Sequence, residues 1–67
     1  MMTVETINLL NKETKHQLHA IWQMTLTGWV ALADELGVRR NDREGAARLL
    51  AIHNLKQRGQ FGLEGGK

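Results

Sequence analysis

Residues 16–38 read HQLHAIWQMTLTGWVALADELGV and hold both tryptophans of the chain, Trp22 and Trp29, with Gly28 just before the second. On a helical wheel Leu18, Ile21, Trp22, Thr25, Trp29, Leu32 and Leu36 fall within an arc of about 100°, and His16, Gln23, Thr27 and Asp34 lie opposite. The phase holds through Gly28, so the spacing predicts one helix over about 14–36. Its start matches a Thr-x-x-Gln capping box, Thr14 and Gln17. At its end Gly37 stands where a left-handed residue belongs, with Val38 placed to pack back on Ala33. Gly28 costs about 1 kcal/mol in a helix interior, a cost that fits close approach of another backbone at Ala46 and Ala47.

Working outward, Val38–Asp42 forms a short polar connection, with Asn41 or Asp42 able to cap a second helix. That helix runs from about 42 to 58, carries Lys56 and Arg58 in its last turn, and meets a terminator in Gly59. Its wheel groups Ala46, Leu49, Leu50, Ile52 and His53 on one face. A connection this short joins antiparallel neighbours. The expected fold is therefore all-α, an antiparallel helical hairpin of about 14–36 and 42–58. Residues 3–10, TVETINLL, read as a short helix, with a strand as the alternative. Residues 59–67 read as a flexible Gly-rich tail in which Phe61 and Leu63 stand between glycines.

Sixty-seven residues make a single small helical domain. A core of that size supplies roughly 3–5 kcal/mol unless stapled or oligomerised. With no cysteine there is no disulfide, so the expected source of further buried area is a second protomer, giving a four-helix homodimer. The association candidates are Leu18, Ile21, Trp22, Trp29, Leu32 and Leu36. No apolar run approaches the roughly 18 residues of a membrane span, and MMTVETINLL lacks the basic region of a secretory signal. A cytoplasmic protein with no membrane partner is expected.

The net charge of +2 is unevenly spread. Residues 1–38 carry Lys12 and Lys15 against Glu5, Glu13, Asp34 and Glu35. Residues 39–58 carry Arg39, Arg40, Arg43, Arg48, Lys56 and Arg58 against Asp42 and Glu44. Arg39, Arg40, Arg43 and Arg48 are the candidates for contact with a polyanion.

Catalysis finds little support. The chain has no cysteine, serine or tyrosine, and no remaining nucleophile stands beside a base with an orienting group. Glu13, His16 and His19 share a spacing of three, but the outer two diverge by roughly 120° on a helix and lack a fourth ligand. Neither a metal nor a cofactor is expected. His53, on the apolar side of the second helix, fits an interface residue better than a ligand.

The residues thus point to a non-enzymatic adaptor, inhibitor or regulator, a homodimer that binds another protein. The alternative is a DNA- or RNA-binding regulator using Arg39, Arg40 and Arg43. One form of it, a ribbon-helix-helix dimer with TINLL as the ribbon, requires a break in the first helix near 25–28.

Overall fold

A computed structural model describes residues 3–59. Helix α1 spans Val4–Trp22, α2 Leu26–Leu36 and α3 Arg43–Gln57, and there is no strand among the described residues. The all-α class stands, but the single helix expected over 14–36 does not. The chain turns a corner at Gln23–Thr25, and the fold is built from three helices rather than a hairpin of two.

The corner has a local and a tertiary cause. Locally, Thr25 takes an extended backbone and its hydroxyl accepts the Gly28 N–H at 3.1 Å, opening a new helix. The Gln23 N–H closes α1 on the Ala20 carbonyl at 3.1 Å. The tertiary cause is phase. Leu10 and Ile21 are the buried residues of α1, and Trp29 and Ala33 those of α2. In a straight rod Ile21 stands about 80° from Trp29 and about 120° from Ala33. One flat partner cannot cover both pairs. Breaking the helix swings Trp29 and Ala33 round to join Ile21, Ala46 and Ala47 in one cluster.

Gly28 serves this corner rather than an approach of α3. A methyl group there would stand 3.2 Å from the Thr25 hydroxyl and 3.6 Å from the Met24 side-chain methyl. The residue's small size makes room for the cap.

The expected capping box at Thr14 is also absent, because α1 begins eleven residues earlier in the chain, at the Thr3 cap. Thr3 accepts the Thr6 N–H at 3.1 Å. Thr14 lies mid-helix and donates its hydroxyl back to the Leu10 carbonyl at 2.7 Å. TVETINLL is therefore helical, and the ribbon of a ribbon-helix-helix dimer is not formed, although the break it required is present.

The other boundaries agree with expectation. Gly37 is left-handed at φ 76°, and the Val38 N–H returns to the Ala33 carbonyl at 3.0 Å. Asp42 caps α3 by accepting the Gly45 N–H at 2.9 Å. Arg58 closes α3, and Gly59 follows at φ 69°. The tail expected over 59–67 lies, beyond Gly59, outside the described residues.

Helices α1 and α3 form the main contact. They run antiparallel: Leu10 clusters with Ala51 and Leu55, while Ile21 clusters with Ala46 and Ala47. The buried face of α3 is thus Ala46, Ala47, Ala51 and Leu55. Leu49 and His53, expected on that face, are exposed. Three alanines let the neighbouring helices come close, and the bulkier Leu49 stays outside. Among the described residues, no helix is long and apolar enough to cross a membrane.

Candidate interaction site

The two tryptophans have opposite fates. Trp29 is 1% exposed, sits among α1, α2 and α3, and donates its indole N–H to the Arg40 carbonyl at 2.7 Å. Trp22, the last residue of α1, is 63% exposed. The break at Gln23–Thr25 lies between them, so each belongs to a different helix.

Arg43, the first residue of α3, spans the pair. Its guanidinium carbon lies 4.1 Å from the Trp22 ring centroid and 5.2 Å from that of Trp29. The flat cation covers the negative face of each ring. Its Nε is buried and has no hydrogen-bond partner among the described residues, so aromatic contact rather than hydrogen bonding holds this part of the side chain. Beside it, Trp22 and Arg43 line a small open groove of about 300 Å³ with Asn41, Asp42 and Glu44.

Two more apolar side chains flank Trp22 in the chain. Met24 is in the corner itself and Leu26 begins α2; both are exposed, Leu26 at 71%. Trp22, Met24 and Leu26 are thus three exposed apolar side chains close together in the chain at the corner, with Arg43 stacked on the first of them. Sequence reasoning had no reason to place Arg43 beside Trp22. The signal lay in tertiary phase, since a straight rod sets Ile21 about 120° from Ala33 while both join Ala46 and Ala47 in one cluster.

Of the six association candidates, Ile21 and Trp29 are buried within the chain. Leu18, Leu32 and Leu36 are half-buried against the same cluster, and Trp22 faces outward. Among the arginines, Arg39 and Arg48 are exposed, Arg40 meets the Asp34 carboxylate at 3.3 Å on the surface, and Arg43 is taken up by the tryptophans.

A second groove, of about 630 Å³, runs along α1 and is lined by Leu9, Lys12, Glu13, Lys15, His16, His19 and Arg58. Its carboxylate is spoken for. Glu13 accepts from Arg58 Nη2 at 2.8 Å on one oxygen, and from Gln17 at 2.9 Å and Asn54 at 3.3 Å on the other. These bonds, that from Arg58 foremost, hold its pKa down to about 2 from the usual 4.5, against the opposing effect of burial. Among the described residues, no three histidine or carboxylate side chains gather into a group that could hold a metal ion.

No protein-family model matches this sequence, and neither a curated protein nor a solved structure matches it. The geometry of its own residues carries the functional argument.

Proposed function

We propose that this chain is a non-catalytic adaptor or regulator that works by binding protein, first a second copy of itself, through the corner between α1 and α2. The observation that carries this reading is Trp22, 63% exposed at a helix end and stacked by Arg43. Leaving an indole of roughly 150–250 Å² in water forgoes one of the largest single burial gains a side chain offers. Tryptophan and arginine are also the types most often found at the centres of protein interfaces.

A second copy suits the surface. Val4 and Trp22 are five helical turns apart and so lie on one side of α1, separated by about 27 Å. Both are exposed, as is Ile7 one turn after Val4. An antiparallel pairing of two α1 helices brings Val4 of each copy to Trp22 of the other, repeating the contact by two-fold symmetry. Such a dimer still leaves α3's outer surface, with Arg48, Leu49 and His53 exposed, for another protein.

Solution mass by light scattering tests it. The parent is expected at twice the chain mass at high concentration. Trp22→Ala and Leu26→Glu are expected at the chain mass with unchanged helicity by circular dichroism. A parent that stays monomeric at its highest soluble concentration, or a dimer indifferent to both substitutions, overturns the proposal.

A further inference from the structure

The acidic half of the sequence folds into a cationic surface. Lys12, Lys15, His16 and His19 follow the i, i+3, i+4, i+7 spacing of one helical side, and all four are exposed. They line the groove of α1 together with Arg58, which arrives from the end of α3. The row rises over about 10 Å along α1.

From this juxtaposition we propose that the groove of Lys12, Lys15, His16, His19 and Arg58 grips the phosphate backbone of duplex nucleic acid without reading its sequence.

Three observations favour that ligand. First, the one carboxylate among the described lining residues does not face a ligand unengaged: both oxygens of Glu13 already accept hydrogen bonds from Arg58, Gln17 and Asn54. Arg58 is steadied in turn, with its Nε donating to the Asn54 carbonyl at 3.4 Å. Lys12 and Lys15 are left as the net charge of the groove, with two imidazoles as further polar groups. Second, among the described residues the lining holds no tryptophan, tyrosine or phenylalanine, the broad rings on which successive unpaired bases stack, and only the imidazoles of His16 and His19 offer a smaller ring face. A paired backbone presenting only phosphates therefore fits better than a single strand. Third, ammonium groups on long stems act as adaptable point charges toward phosphate, and neither lysine has a fixed geometry aimed at a base edge.

This inference rests on other residues than the protein-binding corner, and the two readings compete: Lys15 lies within about 20° of Val4 and Trp22 around α1, so a paired α1 and a duplex cannot both cover it. It also differs from the arginine cluster that the sequence suggested. Arg40 is paired with Asp34 and Arg43 lies against the tryptophans, whereas Lys12 and Lys15 form no ion pair among the described residues.

The test uses the full chain and a dye-labelled short duplex DNA of mixed sequence, titrated by anisotropy at low and at near-physiological salt. Variants are Lys12→Gln/Lys15→Gln and, as control, Arg39→Gln/Arg40→Gln. Polyglutamate serves as competitor to represent an acidic protein surface. Binding is expected to weaken steeply with salt. The lysine variant is expected to bind about tenfold more weakly, with a salt slope reduced by roughly two, while the control changes less. Circular dichroism of each variant separates loss of binding from loss of fold. Absence of salt-sensitive binding, a lysine variant equal to the parent, or polyglutamate displacing the duplex at equal charge concentration overturns the proposal.

Discussion

The indole N–H of Trp29 donates to the backbone carbonyl of Arg40 at 2.7 Å, tying the middle of α2 to the connection that leads into α3. The carbonyl, not the arginine side chain, makes this bond. Trp29→Phe removes the donor and leaves a half-buried carbonyl unpaired, at a cost of about 2 kcal/mol. Trp29→Ala costs about 3–5 kcal/mol, comparable with all the stability a core of this size supplies. Arg40→Ala, which breaks only an exposed ion pair with Asp34, changes stability by less than about 0.5 kcal/mol. Urea unfolding followed by circular dichroism orders the three variants.

The α1–α2 corner depends on Thr25. Thr25→Ala deletes the oxygen that receives the Gly28 N–H and is expected to cost about 1 kcal/mol, with Thr25→Asp restoring most of it. If Ala is silent, or if its loss is not restored by Asp, the cap is not what shapes the corner.

Acid should loosen the junction of α1 and the end of α3. The Glu13 pKa is lowered to about 2 in the folded chain. Its contribution is therefore complete above about pH 4.5 and is lost as pH falls from there through 2. The Glu13 side chain is 15% exposed but Arg58 is 50% exposed. Solvent screening then reduces the effect to about 1 kcal/mol. Glu13→Gln is expected to flatten the stability profile across this range, measured as urea midpoints at several pH values. A Gln variant with the parent's acid slope excludes Glu13 as its source.

Arg43 offers a separation of charge from packing. Arg43→Met keeps a long stem against Trp22 and Trp29, loses a cation–aromatic attraction of about 0.5–1 kcal/mol, and removes the unpartnered Nε. Its net effect is expected within about 1 kcal/mol. Arg43→Ala also loses the stem's contact and is expected to cost about 1 kcal/mol more than the Met variant. Equal midpoints for the two variants would mean the stem packs on nothing.

What could be read from the chain follows how local each cause is. Gly37 with Val38, the Asp42 cap and the Arg58–Gly59 ending are set by neighbouring residues and agree with the structure. The break after Trp22 was hidden because Thr25 and Gly28 are tolerable inside a helix. Only the demand that Ile21 and Ala33 meet the same alanines of α3 excludes a straight rod. Thr14 and Gln17 imitate a helix start, yet Leu10 and Glu13 are held by Leu55, Asn54 and Arg58 from the far end of the chain. The candidate sites suffered likewise. On a straight wheel Trp22 and Trp29 lie about 20° apart and are indistinguishable, while in the fold one is exposed and the other is core. The lysines of α1 looked outweighed because charges were summed along the chain, whereas Glu13 is engaged by partners from α1 and α3.

The unequal burial of the two indoles gives the molecule a pair of separable fluorophores. Trp29, sealed from water, should emit toward the blue, resist quenching by acrylamide and redden only on denaturation. Trp22, bathed in solvent beside a guanidinium, should emit toward the red, quench readily and shift blue when anything settles on its corner. With Phe replacing one indole at a time, a single cuvette distinguishes unfolding from complex formation without any attached dye.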